Sequence, residues 1–246
     1  MKSDGADVRE HFTARAAHYD KSSSWCTDDA LAEATWRYTA AEADHRVLDV
    51  ACGTGLVSRV FKGRVAEVVG VDITPAMYAQ AAPHVDRFVE GPGEDLPFAD
   101  GTFDRVVCRQ GTQFMDDGAA IKEMARVLKP GGRAVVINLC AYGAEDRDEY
   151  FEILRLRNPA RRNFYMREDM VRLFEAAGLQ TTLHDFISEE DVDVWSDNKA
   201  IAETRREGIR RIYREGSDAF RSLHAVAFDD GRILDKMLFA IAVGRK

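Results

Sequence analysis

The chain has 246 residues, which suits one α/β domain with additional cap elements better than two independent domains. Its 46% hydrophobic and 31% charged residues are typical of a folded globular protein and exclude a disordered or fibrous chain. A net charge of −8 makes nucleic acid an unfavourable partner.

Neither a membrane segment nor a metal site is predicted. No apolar run reaches the roughly 20 residues that cross a bilayer, and residues 1–10 lack the order of a signal peptide. We therefore expect a cytoplasmic protein with no membrane partner. The cysteines show no metal-ligand spacing and are predicted to be reduced, mostly buried thiols: Cys26, Cys52, Cys108 and Cys140.

Short apolar runs alternate with amphipathic segments, which favours a mainly parallel sheet covered by helices. Helices are predicted near residues 8–19 and 28–41, from Leu56, from Pro75, and over 118–128 and 167–177. Strands are predicted over residues 47–51, 68–73, 87–89, 103–108, 134–139, 179–187 and 237–244. The single domain then has an N-terminal helical lid (1–45), a core (46–140) and a second half (141–246) with an inserted cap at 188–236.

The most informative segment is a glycine-rich turn that follows the first strand, at residues 47–55. Glycine in such a turn lets a ligand approach the backbone closely. A dinucleotide-binding loop would need a third glycine where Ser58 stands, which weakens the case for a nucleotide-dependent oxidoreductase. The chain also has no Gly-Lys-Ser or Gly-Lys-Thr sequence, so a Walker A phosphate loop is excluded.

Four motifs follow one another in a fixed order. They are Asp49 with Gly53 and Gly55, then Val71-Asp72, then 94–98 with 101–104, and then 127–132 (Val-Leu-Lys-Pro-Gly-Gly). This order resembles the class I S-adenosylmethionine-dependent methyltransferases, in the subgroup of ubiquinone, menaquinone and natural-product enzymes. The resemblance covers residues 47–139 and implies a Rossmann-like, seven-stranded, mostly parallel sheet. Its last strand would be antiparallel and would follow a helical insertion.

The resemblance implies S-adenosylmethionine as cofactor and S-adenosylhomocysteine as product. Asp72 would accept hydrogen bonds from the ribose hydroxyls, and Ile73 and Met77 would contact adenine and ribose. Pro92 stands where relatives often carry an acidic residue, which leaves the recognition of adenine open. The cofactor-binding residues implied are Tyr19, Asp49, Ala51, Gly53, Gly55, Asp72, Ile73, Met77, Gly93, Glu94, Asp95 and Arg109.

Three residues are candidates for a catalytic role. Tyr19 belongs to an N-terminal helix like that of the subgroup, where such a tyrosine often reaches cofactor or substrate. Gln113 follows the fourth strand, and it is either a substrate contact or a loop amide bonded to its own backbone. His224 precedes an apolar run in the cap and would act as a base only for an acceptor that loses a proton. No metal is expected, because an activated methyl group needs only alignment and exclusion of water.

The predicted function is methyl transfer to a small molecule, a partly aromatic or secondary metabolite, with an oxygen, carbon or nitrogen acceptor. Aromatic residues such as Trp25 and Trp195 would enclose the acceptor. Tyr19, Trp25 and the insertion are expected to close over the methyl group. Two alternatives stay open: a regulatory domain that binds the cofactor without turnover, and a methyltransferase that acts on a peptide.

Overall fold

A computed structural model describes residues 5–21 and 23–246, whose strands form one eight-stranded sheet. The strands are β1 Arg46–Val50, β2 Glu67–Asp72, β3 Arg87–Glu90, β4 Phe103–Arg109, β5 Leu128–Leu139, β6 Gln180–Asp191, β7 Ala227–Asp229 and β8 Arg232–Arg245. The α-helices are α1 Ala6–Arg15, α2 Asp29–Thr39, α3 Ser58–Phe61, α4 Tyr78–Ala81, α5 Asp117–Val127, α6 Arg147–Arg157, α7 Arg167–Ala176, α8 Val192–Ser196, α9 Glu203–Glu215 and α10 Asp218–Leu223.

The strand order is β3-β2-β1-β4-β5-β8-β6, and β7 pairs with β8. Strands β1 to β5 are mutually parallel, and β8 runs antiparallel to both β5 and β6. This confirms the predicted mostly parallel sheet with an antiparallel last strand. The strand that was not predicted is β7, which joins β8 through Asp230 and Gly231, both with positive φ. An Asp-Gly pair of this kind is the usual signal of a two-residue hairpin turn.

Apolar side chains cover both faces of the sheet. Val47 and Leu48 are neighbours in β1, yet they belong to different buried clusters because successive side chains in a strand point to opposite faces. One cluster includes side chains of α2, α3, α6 and α9, and the other includes side chains of α5 and α7. All four cysteines are free and buried, as predicted. Within the described residues, no helix has the length and apolar character needed to span a bilayer.

The segment between β6 and β8 is shorter than the predicted insertion at 188–236. Ser188 and Glu190 belong to β6 and pair with Met237 and Asp235 of β8, so the residues between these strands are 192–231. Ser188, Glu190 and Asp235 are buried and hydrogen-bonded. Because these residues are polar, a prediction based on apolar residues ends the strand too early.

The glycine-rich turn packs tightly against the segment that follows α4. Gly55 has a φ of +84°, and a Cβ there would lie 2.9 Å from Cβ of His84. We expect Gly55→Ala to destabilise the fold by about 2–4 kcal/mol, since it adds overpacking to backbone strain. Gly63→Ala is the matched control, because Gly63 has a φ of +76° and no atom within 4 Å of its Cβ position. Urea unfolding measures both variants, and equal losses of stability would contradict the close packing.

Candidate active site

The carboxyl ends of the parallel strands border a cavity of about 440 Å³. Ala51 follows β1, Asp72 ends β2 and Arg109 ends β4, and all three line the cavity. Phe12 of α1 also lines the cavity. Open α/β sheets bind ligands at this edge, and the volume suits a small organic molecule.

The backbone turns sharply at two neighbouring strand ends. Ala51 and Gln110 follow β1 and β4 and have φ values of 57° and 56°, an uncommon conformation for residues other than glycine. Both residues line the cavity, together with Gly53. Strained backbone of this kind often accompanies functional sites.

Asp72 is the buried carboxylate at this edge of the sheet. Its Oδ2 accepts a hydrogen bond from the N–H of Gly53 at 2.8 Å, and its Oδ1 accepts one from the N–H of Thr74 at 2.8 Å. Burial raises the pKa of Asp72, although these hydrogen bonds oppose the shift. An ionised carboxylate has about four acceptor sites. The hydroxyl of Thr74 and the N–H of Ile73 also interact with this carboxylate. Asp72 lines the cavity, where it would meet a ligand group such as the adjacent hydroxyls of a ribose.

Asp49 lies in β1, below the glycine-rich turn. Ser58 donates its hydroxyl to Oδ2 of Asp49 at 2.6 Å, while Oδ1 is buried with no hydrogen-bond partner among the described residues. Burial raises the pKa of Asp49 to about 7, with the hydrogen bond from Ser58 opposing the shift. A buried acceptor without a donor is unfavourable. This acceptor is therefore unpaired beneath the turn, although Asp49 itself does not line the cavity.

The predicted adenine side of the cavity is formed by the loop after β3. Pro92, Gly93 and Glu94 line the cavity, and Oε1 of Glu94 accepts a hydrogen bond from the N–H of Asp116 at 2.9 Å. Asp95 is exposed and lies outside the cavity lining. The loop therefore offers Glu94, and not Asp95, as its carboxylate.

The N-terminal segment is attached to the turn by polar contacts. Thr54 donates its hydroxyl to Oδ1 of Asp20 at 2.5 Å, and Gln80 donates to the carbonyl of Ala16 at 2.6 Å. Between these contacts lies Tyr19, which lines the cavity. Burial raises the pKa of Tyr19 to about 12, so its hydroxyl stays protonated at neutral pH.

Comparison with known proteins agrees with this geometry. A family model described as a methyltransferase domain matches residues 48–136. The demethylmenaquinone methyltransferase of Beutenbergia cavernae is 30% identical over 238 residues, which cover 91% of this chain and 92% of that protein. The chain belongs to the class I S-adenosylmethionine-dependent methyltransferases.

Two further comparisons involve one protein of Bacillus subtilis, the uncharacterized methyltransferase YcgJ. YcgJ is 39% identical to this methyltransferase over 129 residues. These residues make up 48% of this chain and 50% of YcgJ, so the chain spans half the length of this relative. The crystal structure of YcgJ superposes with a TM-score of 0.82 at 25% identity, covering 89% of this chain and 99% of that chain. The similarity of fold thus extends beyond the segment of clear sequence similarity.

The cavity of the methyltransferase brings together most of the predicted cofactor residues: Tyr19, Ala51, Gly53, Asp72, Ile73, Met77, Gly93, Glu94 and Arg109. Asp49, Gly55 and Asp95 lie outside its lining. Gly55 instead permits the close approach to His84. The sequence interpretation missed Gln110, Met115 and Asp116, which also line the cavity. A signal for Asp116 was present, because an Asp before an apolar helix is a typical N-cap and Asp116 accepts from the N–H of Ala119.

Two candidate catalytic residues lie outside the large cavity. His224 is fully buried, with both ring nitrogens bonded to carboxylates, so its prediction as a catalytic base is wrong. The carboxylates that bind it lie 11 and 78 positions away and in other elements, which is why its role was not visible in the sequence. Gln113 donates to Oε1 of Gln110 at 2.7 Å and is buried at a second, smaller cavity. It therefore does not face the cofactor cavity.

The insertion that was expected to close over the methyl group does not reach the large cavity in this structure. No residue of 188–236 lines the large cavity within the described part of the chain. Trp25 and Trp195 line the small cavity instead. The insertion packs against α6 and β8 because α8 and α9 direct their apolar side chains, such as Ile209, into the core below. Of the predicted lid, only the N-terminal segment covers the site.

Proposed function

We propose that this methyltransferase transfers a methyl group from S-adenosylmethionine to a small organic acceptor. The observation that carries the proposal is Asp72, a buried carboxylate that lines the cavity at the end of β2. Asp49 would hold the ammonium group, and Ile73 and Met77 would contact the adenosine. When bound, the cofactor supplies a methyl group attached to a positively charged sulfur. The name of the Beutenbergia cavernae relative gives demethylmenaquinone as its acceptor, which supports a small molecule.

The chain's own contribution to the reaction is alignment and exclusion of water. Phe12 and Phe114 place their rings 4.9 Å apart in an edge-to-face arrangement at the cavity. These rings and Tyr19 would separate the reacting atoms from solvent and hold the acceptor in line. Among the described residues no histidine lines the large cavity, so an acceptor that loses a proton would release it to water. The acceptor atom is left open among oxygen, carbon and nitrogen.

Calorimetry with S-adenosylhomocysteine and NAD tests the cofactor, and transfer of a labelled methyl group to small-molecule and peptide panels tests turnover. We expect binding of S-adenosylhomocysteine and labelling of a small molecule. Binding of NAD alone would contradict the proposal. Cofactor binding with no labelling of any acceptor would favour a regulatory domain, and labelling of peptides would favour a peptide methyltransferase.

Cofactor affinity is expected to depend on the ionisation of Asp49. Because its pKa is about 7, Asp49 is largely ionised at pH 7.5 and largely protonated at pH 6. Only the ionised form attracts an ammonium group, so S-adenosylhomocysteine should bind about five- to tenfold more weakly at pH 6. Asp49→Asn is the control, because it keeps the shape of the side chain and does not titrate. The pH dependence that remains in this variant measures the titration of the ligand. If Asp49→Asn shows the same pH dependence of binding as the wild type, Asp49 does not bind the ammonium group of the ligand.

A further inference from the structure

A second cavity of about 20 Å³ adjoins the cofactor cavity. The two cavities share Phe12, Tyr19, Gln110 and Phe114 in their linings. The other side of the small cavity is formed by Arg157, Asn158 and Arg161, at the end of α6 and just after it. We refer to this small cavity as the arginine chamber. A ligand could extend from the cofactor cavity into it past the shared residues.

Two guanidinium groups of the arginine chamber are buried without an acidic partner. Arg157 is 8% exposed and Arg161 is 9% exposed. Arg157 donates to the carbonyl of Trp195 at 3.0 Å, and Arg161 donates to the carbonyl of Asn163 at 2.9 Å. No carboxylate of the described residues lies within 4.0 Å of either guanidinium. Buried charges without a counter-charge are strongly unfavourable, which is the first reason to expect an anion here.

The acid with the clearest electrostatic influence on Arg157 is Glu190, which is already engaged. Its Oε1 accepts hydrogen bonds from the N–H of Trp25 at 3.1 Å and from the hydroxyl of Ser188 at 3.0 Å. Its Oε2 accepts one from the N–H of Ser24 at 3.0 Å. Glu190 therefore orders the segment around Trp25 and does not pair with the arginines.

The buried polar atoms of the arginine chamber without hydrogen-bond partners are mostly donors. Among the described residues they are Trp25 Nε1, Gln110 Nε2, Asn158 Nδ2, Arg161 Nη2 and Trp195 Nε1, against one acceptor, Gln113 Oε1. Gln110 and Gln113 bond to each other, so exchanging both amide orientations still leaves one donor and one acceptor on this pair. An excess of donors calls for a ligand group that only accepts, such as a carboxylate.

The arginine chamber stays positive at neutral pH. Burial lowers the pKa of Arg157 to about 9, with the charge of Arg15 adding to the shift. Burial also lowers the pKa of Arg161 to about 10. Both values lie above neutrality, so both groups keep their charge. A carboxylate bound between the two guanidinium groups would supply the missing counter-charge and raise both pKa values again.

We propose that the methyl acceptor is an organic carboxylate whose anionic group occupies the arginine chamber. Its apolar body lies against Phe12 and Phe114, and its reacting atom faces the cofactor cavity. The arginine chamber is small, about 20 Å³, which suits a planar carboxylate better than the larger phosphate. This inference rests on the proposed function, because it places the acceptor beside the cofactor.

Calorimetry of the full chain saturated with S-adenosylhomocysteine tests the inference with three probes: benzoate, neutral benzamide and phenylphosphonate. We expect benzoate to bind at least about tenfold more tightly than benzamide, since hydrogen bonds to charged groups are the stronger ones. Equal binding of benzamide, or no binding of benzoate, would overturn the inference. Tighter binding of phenylphosphonate would identify a phosphate site instead.

Arg161→Gln should weaken benzoate binding at least about tenfold and leave S-adenosylhomocysteine affinity within about twofold. Arg155→Gln is the matched control, because Arg155 is 54% exposed on α6 and pairs with Glu152, and it should change neither affinity. Arg161→Lys keeps the charge and should restore part of the benzoate affinity. Without ligand, Arg161→Gln should be as stable as the wild type or more so, since it removes an uncompensated charge.

Other outcomes separate the two proposals. If Arg161→Gln weakens S-adenosylhomocysteine about tenfold, the arginine chamber holds the carboxylate of the cofactor, and the inference is wrong. If Arg161→Gln unfolds more readily than the wild type without ligand, Arg161 has a structural role. In that case the benzoate affinity of Arg161→Lys, measured without S-adenosylhomocysteine, decides whether Arg161 also binds the carboxylate. If the wild type does not bind S-adenosylhomocysteine, the proposed function fails, and benzoate binding to the unliganded chain still decides whether the arginine chamber binds carboxylates.

Discussion

Replacing His224 by glutamine is expected to lower the free energy of unfolding by about 3–5 kcal/mol, the range found when one partner of a buried ion pair is removed. His224 is the C-cap residue directly after α10. Its Nδ1 lies 2.8 Å from Oδ1 of Asp235, and its Nε2 lies 2.9 Å from Oδ2 of Asp146. All three side chains are fully buried. Both ring nitrogens must donate, so the ring is an imidazolium. Without it, two buried carboxylates lose their counter-charge.

This effect should depend on pH with a defined sign. Burial disfavours the imidazolium, but the hydrogen bonds to Asp146 and Asp235 outweigh it and raise the pKa of His224 to about 9. The stabilisation is therefore complete below the ordinary pKa of about 6.5 and is lost as pH rises through about 9, by about 3 kcal/mol. The hydrogen bond from His224 also lowers the pKa of Asp146 against the effect of burial. That contribution is lost in acid, as pH falls through the lowered pKa.

Urea unfolding at pH 6.5 and at pH 9.5 measures these differences. His184→Gln is the control, because His184 is partly exposed in β6 and stacks on Tyr38 with ring centroids 4.3 Å apart. It should cost less than about 1 kcal/mol at either pH. Adding Asp235→Asn to His224→Gln should recover part of the loss, because it removes one unpaired charge. A pH-independent loss for His224→Gln would mean that the ring is neutral in the fold.

Asp72→Ala is expected to weaken S-adenosylhomocysteine binding by about 1.5–3 kcal/mol, or roughly ten- to 150-fold. The carboxylate would lose its hydrogen bonds to the ribose. The N–H groups of Gly53 and Thr74 would also lose their acceptor, so the turn would hold its shape less well. Asp72→Asn keeps one acceptor and the volume, and it should lose less. Calorimetry measures all three affinities.

Glu67→Gln is the matched control for Asp72, because Glu67 begins the strand that Asp72 ends. Its carboxylate pairs with Arg46 at 2.7 Å and is 29% exposed. This substitution should leave cofactor affinity unchanged and cost at most about 1 kcal/mol of stability. If Asp72→Ala unfolds the protein to the point that binding cannot be measured, Asp72→Asn still tests the ribose contact. An unchanged affinity in Asp72→Asn and Asp72→Ala would remove Asp72 from the site.

The first half of the fold could be predicted from the sequence because local signals there agree with one another. The apolar strands β1, β2 and β4 are buried on both faces, so continuous Val and Leu runs identify them. The second half mixes polar residues into buried strands. Glu190 and Asp235 lie opposite each other in β6 and β8. Their hydrogen-bond partners include Ser24, 166 positions from Glu190, and His224, 11 positions from Asp235. The spacing of apolar residues does not show which buried charges are paired in the folded protein.

The candidate site could be predicted where it depends on the backbone of one turn, and could not where it depends on packing between distant segments. Gly53 and Asp72 are 19 positions apart, and motif order identifies both. Arg157 and Arg161 resemble solvated surface charges in a sequence that reads Arg-Leu-Arg-Asn-Pro-Ala-Arg-Arg at 155–162. Their burial arises only because Trp25, Trp195 and Gln113 approach from three other parts of the chain.

The position of β8 has a consequence for the order of folding during synthesis. Strand β8 separates β5 from β6 in the sheet, although both are made earlier, and β8 begins about 40 residues after β6 ends. Until residues 232–245 leave the ribosome, the apolar edge of β5 and the whole of β6 have no strand to pair with. Exposed strand edges promote association with other chains. We therefore expect nascent chains paused before β8 to depend on chaperones and to be prone to aggregation, while β1 to β4 can already pair.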